Sequence, residues 1–168
     1  TGWVSYGLSY TNRTFEKINL GRTFPFTYDR RHDFKIAFSQ RIGEKFQITA
    51  NWLFGTGTAF SAAPIRFITV DPITGIATLN EDFGAKNQFR LPNLHRLDVS
   101  ANLYLGDPKN VQHIFKFGVY NVYNRRNPLY YKLRESIVFS NGSFDPITEY
   151  VEIPMLPFLP SVNYTIKF

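Results

Sequence analysis

Three histidines and five charged residues at two strand entrances are the side chains here with the means to do chemistry. His32, His95 and His113 lie far apart, the first two beside Asp33 and Arg96. A metal centre would need further ligands at matching geometry, and hydrolytic catalysis would need a nucleophile next to a base; neither motif is readable. The histidines therefore read as interfacial hydrogen-bonding residues, and no enzyme activity, cofactor or metal is expected. Arg30, Arg31, Asp33, Arg96 and Asp98 carry two readings that the sequence does not separate. They form an ion-pair network that holds the structure together, or they touch a passing ligand. Phe60, Phe67, Phe83, Phe89, Tyr130, Tyr131, Phe139 and Phe144 fall between the regular segments and could stack on a ligand. Packing on one another is their simpler use.

The segments that must position these residues share a period of two. From Trp3 to Thr11, Val4, Tyr6, Leu8 and Tyr10 alternate with Ser5, Gly7 and Ser9. From about Asp33 to Ile42, Phe34, Ile36 and Phe38 oppose Asp33, Lys35, Ala37, Ser39 and Arg41. From Phe46 to Phe54, Ile48, Ala50 and Trp52 oppose Gln47, Thr49 and Asn51. Leu97 to Leu105 sets Val99, Ala101 and Leu103 against Asp98, Ser100, Asn102 and Tyr104. His113 to about Tyr123 sets Phe115, Phe117 and Val119 against Lys116, Gly118 and Tyr120. Ser161 to Phe168 sets Val162, Tyr164, Ile166 and Phe168 against Ser161, Asn163, Thr165 and Lys167. The apolar parity never carries Asp, Glu, Lys or Arg, and each segment is about nine to eleven residues, the length of a tilted strand crossing a bilayer. A basic residue on a lipid-facing parity would cost roughly 2–4 kcal/mol near the midplane. The pattern predicts six antiparallel strands of a transmembrane β-barrel wall, apolar toward lipid and polar toward a lumen, with all ten prolines outside the strands.

The connections alternate in length. Residues 43–45 and 106–111 are short, with Gly43-Glu44 and Gly106 to Asn110 supplying turn formers; residues 12–32, 55–94 and 124–160 are long. Outer-membrane barrels keep short turns on the periplasmic side and long loops outside. The first strand then runs outward and the last inward, leaving Phe168 at the periplasmic rim with Trp52, Phe54 and Tyr123 as girdle residues. Two long loops hold hairpins: Phe67–Val70 with Ile76–Leu79 around Asp71 to Gly75, and Ser136–Phe139 with Glu149–Glu152 around Asn141-Gly142. The repeated Asp-Pro-Ile-Thr at 71–74 and 145–148 reads as shared turn chemistry.

Composition narrows the classes. The chain has 168 residues with 17 Phe and 10 Tyr, more aromatics than a soluble core of this size usually uses. With no cysteine it has neither a disulfide framework nor a thiolate site. Its net charge of +6 is scattered, adjacent basic residues occurring only at Arg30-Arg31 and Arg125-Arg126, which argues against nucleic acid as a partner. No apolar run reaches about eighteen residues, so no transmembrane helix is expected. No signal peptide is readable, so the sequence is expected to be a fragment or a mature piece of an exported protein.

Taken together, Tyr28-Asp29-Arg30-Arg31-His32-Asp33, Trp52-Leu53-Phe54-Gly55-Thr56-Gly57, Leu94-His95-Arg96-Leu97-Asp98, Val119 through Asn127-Pro128, Leu159-Pro160-Ser161-Val162 and the terminal aromatic resemble, in order and spacing, the carboxy-terminal part of a TonB-dependent outer-membrane receptor. The resemblance covers the whole chain. It implies a nutrient importer in the cell outer membrane, built as a barrel of about 22 strands around a plug, of which residues 1–168 would be roughly the last six strands. The plug and the TonB-contacting segment are absent from these residues. Implied partners are the remaining strands and plug, outer-membrane lipid, TonB through the missing amino-terminal part, the barrel insertion machinery and a surface lipoprotein. The resemblance also makes Arg30, Arg31, Asp33, Arg96 and Asp98 lumen- or plug-facing, and Tyr164, Ile166 and Phe168 a carboxy-terminal assembly signal. Two alternatives remain at this stage: a passive or structural outer-membrane barrel such as a pore or adhesin, and a soluble aromatic-rich carbohydrate-binding β-sandwich.

Overall fold

A computed structural model describes residues 1–63, 65–82, 84–140 and 143–168, and its regular structure is β throughout apart from one 3-10 turn, η1 (Asn19–Gly21). The strands are β1 (Gly2–Leu8), β2 (Asn12–Arg13), β3 (Phe24–Pro25), β4 (His32–Ile42), β5 (Phe46–Gly55), β6 (Ala59–Phe60), β7 (Ile65–Val70), β8 (Ala77–Asp82), β9 (Phe89–Arg90), β10 (Leu94–Gly106), β11 (Gln112–Tyr120), β12 (Pro128–Ser140), β13 (Ser143–Pro154) and β14 (Leu159–Lys167). The chain divides into two compact units. One comprises Thr1–Tyr6, Phe34–Gly55 and Pro92–Phe168, the other Gly7–Asp33 and Thr56–Leu91.

The first unit is built on a six-stranded sheet of order β1-β4-β5-β10-β11-β14, which is chain order once the strands of the long connections are set aside. The six predicted segments are these six strands. The alternation of each strand becomes a two-faced sheet because the registers keep parity. Leu97 lies opposite Trp52; Val99 opposite Ala50 and Val119; Ala101 opposite Ile48 and Phe117; and Leu103 opposite Phe46 and Phe115. Phe115 and Phe117 continue onto Tyr164 and Val162 of β14. The intervening rows join Asp98 to Asn51, Ser100 to Thr49 and Gly118, and Asn102 to Gln47 and Lys116. A slip of one residue would have mixed the faces.

The apolar face holds aromatic contacts along its length. Phe34 meets Trp52 edge-on at 5.7 Å and Phe115 meets Tyr164 at 4.9 Å between ring centroids. Yet no residue of this face is buried, and Val4, Val162 and Phe117 expose 64%, 69% and 49% of their surface. Leu94 and Pro128 are the buried apolar side chains of this unit among the described residues. The other face is a polar ladder: Gln47 donates to Ser39 Oγ at 2.9 Å, Tyr104 donates to Gln47 Oε1 at 2.6 Å, and Asn102 donates to Tyr104 Oη at 3.3 Å.

The second unit is held by short pairings, β2 with β3, β6 with β9 and β7 with β8. It packs Phe24, Ala59, Ala62 and Ala63 in its interior. The turn between β7 and β8 is closed by Asp71, whose carboxylate accepts from the N–H groups of Ile73 and Thr74 at 2.8 and 3.1 Å. Those two hydrogen bonds hold its carboxyl below the usual carboxylate range.

Several boundaries depart from expectation for identifiable reasons. β1 stops at Leu8 rather than Thr11. β11 stops at Tyr120 rather than Tyr123, because Asn121 turns the chain with φ 54°. β10 starts three residues early, at Leu94, paired with Gly55. β14 starts at Leu159, so Pro160 lies inside a strand, opposite Val119, contrary to the expected exclusion of all prolines; β14 is an end strand of this sheet, where a missing N–H is tolerated. In the β12–β13 hairpin Phe139 faces Phe144, so Ser136 pairs with Ile147 and not with a residue of Glu149–Glu152. Asp145 to Thr148 is therefore strand, and the Asp-Pro-Ile-Thr echo is turn chemistry only at 71–74. The predicted Asn141-Gly142 turn lies outside the described residues.

Two glycines are needed sterically. Gly106 closes the β10–β11 turn at φ 90°, where an added Cβ would sit 2.3 Å from the Val111 carbonyl oxygen. At Gly57 the same atom would meet the Leu91 carbonyl oxygen at 1.5 Å. Gly106→Ala and Gly57→Ala are each expected to destabilise by more than about 1 kcal/mol, read as a lower denaturant midpoint of the refolded protein. Gly43→Ala, where nothing lies within 4 Å of the added atom, should cost less.

Candidate functional site

Where β11 ends, three asparagines at spacing three replace the ladder with side-chain hydrogen bonds. Asn121 is fully buried. Its Nδ2 donates to the carbonyls of Arg125 and Leu156 at 2.9 and 3.2 Å, and its Oδ1 accepts from Arg125 N–H at 3.2 Å. Asn124 Oδ1 accepts from Phe158 N–H at 3.0 Å. Asn127 Oδ1 accepts from His95 N–H at 3.1 Å and its Nδ2 donates to His95 O at 2.9 Å, an amide standing in for a neighbouring strand. Asn121 and Asn124 adopt the left-handed region, which asparagine tolerates better than most residues. The result ties the base of the β12–β13 hairpin to the entrances of β10 and β14.

Asp98 joins this clamp to the polar face. Its Oδ1 accepts from Asn121 N–H at 2.9 Å, while Oδ2 receives Arg96 Nε at 3.0 Å and Nη2 at 2.9 Å. Arg96 also donates to Tyr120 Oη and lies 4.0 Å over the Tyr120 ring. The predicted residues Arg96 and Asp98 thus come together as a largely buried ion pair, with both Asp98 oxygens and all three Arg96 nitrogens engaged locally.

Arg30, Arg31 and Asp33 fall in the other unit. Arg30 is half-buried and its carbonyl accepts from Ser9 Oγ at 2.8 Å. Arg31 is exposed, 5.0 Å over the Tyr10 ring and 4.0 Å from Asp29. Asp33 is the second residue of β4 and half-buried. The dominant feature here is Asp29, which sequence reasoning quoted within a motif but did not single out. It is 2% exposed, ion-paired to Arg90 Nη2, and accepts from Thr11 N–H at 2.7 Å. Arg90 Nη1 further donates to the carbonyls of Asp29 and Gly57 at 3.1 and 3.0 Å. Burial pushes the Asp29 carboxyl up. The Arg90 and Thr11 hydrogen bonds and the charges of Arg90 and Arg31 outweigh it and hold it below the ordinary carboxylate range.

Nearby, Asn87 (φ 55°) donates to the Pro25 carbonyl at 2.8 Å and exchanges two hydrogen bonds with Ser61. No sequence signal distinguishes Arg90 or Asn87 from the other polar residues around them. The asparagines at 121, 124 and 127 carried one, an Asn-x-x-Asn-x-x-Asn run directly after a strand.

Among the histidines, His113 Nδ1 lies 2.7 Å from Tyr164 Oη, with the rings stacked at 6.0 Å, and His95 meets Tyr123 edge-on at 5.8 Å. No group of three or more His, Cys, Asp or Glu is placed to hold a metal among the described residues. Tyr164 and Ile166 lie on the apolar face, while Phe168 follows the last strand residue and is 98% exposed. Of the loop aromatics, Phe60 packs on Phe89 at 5.9 Å, and Phe67 and Tyr130 stay half-exposed. Phe83 and the side chains of Phe139 and Phe144 lie outside what the structure describes. No family model matches the chain, and no curated protein or solved structure is significantly similar to it.

Asn121→Ala removes the partner of three backbone groups in part-buried hydrogen bonds, each costing up to about 1–3 kcal/mol where water does not replace it. The expected outcome is a destabilised protein and proteolytic cutting near residues 121–127 before any cutting in β4 or β5. For Asp29 the depressed carboxyl sets the sign. Its contribution is complete above the unfolded value of about 3.9 and is lost as pH falls through the lower folded value. Hydrogen exchange in residues 7–33 and 56–91 should stay flat from neutral pH down to about 5, after correction for the intrinsic rate, and rise below about 4. Asp29→Asn should raise exchange at neutral pH and reduce that acid dependence, leaving the part that Asp71 contributes in its own turn.

Proposed function

We propose that this chain forms six consecutive wall strands of a larger transmembrane β-barrel in a cell outer membrane, as the carboxy-terminal part of a TonB-dependent receptor that imports a nutrient. One observation carries the reading. A six-stranded sheet presents a face free of Asp, Glu, Lys and Arg on which no side chain is buried. Exposed apolar areas of that extent mark a membrane or a large partner surface, and lipid satisfies all of them at once. The short turns at 43–45 and 107–111 join strands at one end and the long excursions leave from the other, as outer-membrane barrels arrange them.

β1 and β14 stand at opposite ends of the sheet order, which disfavours a pore closed within these residues. Bare edges in hydrocarbon leave backbone groups unsatisfied, so each edge must meet a strand from outside the sheet. A soluble sandwich would need a second layer over the apolar face, and that face is not buried. In this reading the partners are the remaining strands and plug, outer-membrane lipid, TonB acting through a segment elsewhere in the receptor, the insertion machinery and a surface lipoprotein.

Spin labels at Val4, Phe38, Ile48, Val99 and Phe117 of the reconstituted parent protein should be relaxed by lipid-dissolved oxygen. Labels at Lys35, Thr49, Ser100 and Thr165 should respond instead to a water-soluble relaxant. Equal response at both sets would defeat the wall reading. Phe168→Ala tests the assembly signal. The exposed ring contributes less than the about 1.5–3 kcal/mol of a fully buried one, so the melting point of refolded protein should barely move while insertion in cells falls sharply.

A further inference from the structure

The two faces of the sheet differ in charge as well as polarity, and the polar one is strongly unbalanced. Its strands carry Lys35, Arg41, Arg96, Lys116 and Lys167 against two carboxylates, Asp98 and, at the start of β4, Asp33. Arg96 and Asp98 neutralise one another at 2.9 Å. Arg41 donates to the Glu44 carbonyl and lies 5.3 Å over Tyr104, contacts that keep its charge uncompensated. Lys116 is exposed in the middle of β11 and, like Lys167, makes no ion pair among the described residues. Beside Lys116 the wall is hollowed. Ser100, Gly118 and Ser161 lie in one cross-strand row, and with Asn51, Asp98 and Tyr120 they border a concavity of about 220 Å³. A Cβ on Gly118 would meet Ser161 Oγ at 2.8 Å, so the space is kept open by the missing side chain.

We infer that this face attracts and guides small anionic solutes, carboxylate- or phosphate-bearing, with Lys116 as their principal contact on the wall. The inference rests on the proposed barrel, in which the face borders the water left between the wall and the plug. Cations on a wall backed by hydrocarbon are screened from one side only, and a cleft of one sign raises the local concentration of the opposite ion. The neighbouring serine hydroxyls and the Asn51 amide supply neutral donors, and Asp98 is already engaged by Arg96 and Asn121, so little repels an anion.

The lack of cysteine makes the test clean. Ser100→Cys in the full-length protein, in its membrane, is treated with thiosulfonate reagents of equal size, one sulfonate and one quaternary ammonium, normalised to their rates with a free thiol. The anionic reagent should react on the order of ten-fold faster than the cationic one. Lys116→Gln should remove most of that preference, Lys116→Glu should reverse it, and high salt should flatten it. Equal rates, or a preference indifferent to Lys116, would overturn the anion inference while leaving a wet, barrel-lining face intact. Protection of the cysteine from both reagents would overturn it too, because polypeptide would then cover the face. If Val99→Cys, on the opposite face, reacted with both reagents as fast as Ser100→Cys, the barrel reading itself would fail.

Discussion

A single sheet has no core of its own, and the rest of this molecule is arranged around that constraint. In water an extended apolar face would forfeit about 1.5–3 kcal/mol for every large side chain left unburied. Here the residues that would be lost include Phe38, Ile48, Phe117, Val162 and Tyr164. Stability must come from the ladder, which satisfies backbone groups strand by strand, and from whatever medium meets the apolar side. That requirement explains the parity. A sheet that relies on its surroundings for one face tolerates no charge there, and the polar residues collect on the other, where they hydrogen-bond one another from Ser39 through Gln47 to Tyr104 and Asn102.

The same constraint explains the buried polar side chains. A ladder ends abruptly wherever a strand leaves it, and the exposed amides need partners at once. At the end of β11 those partners are Asn121, Asn124 and Asn127, whose short amides both donate and accept and whose backbones accept the left-handed turn. In the other unit the corresponding task falls to Asp29, Arg90 and Asn87, with a small cluster of Phe24 and alanines beside them. Asp98 serves both purposes, holding Arg96 on the sheet face and the first amide of the β11 turn.

A period of two is a local property, set by alternate side chains pointing to opposite faces. It was therefore enough to find all six strands of the large sheet, their faces, the two tight turns and the existence of both hairpins. It also placed Asp98 and Arg96 on the polar side of one strand, within reach of each other. It failed where a residue acts through a partner distant in the chain. The β12–β13 register, fixed by Phe139 opposite Phe144, turned a presumed turn at 145–148 into strand. Pro160 enters a strand because β14 stands at the end of the sheet, a fact of topology.

The sequence by itself determined which residues form strands and which side of each strand shuns charge, because both follow from alternation and from the cost of a charge in an apolar medium. Only the tertiary structure decided that Asp29 is buried against Arg90, sixty-one positions away, that Asn127 stands in for a strand beside His95, and that Lys116 is left without a counter-charge. Such pairings depend on which loop ends the sheet brings together, and a polar side chain in a loop looks the same in sequence whether it meets water, an arginine or a bare backbone amide.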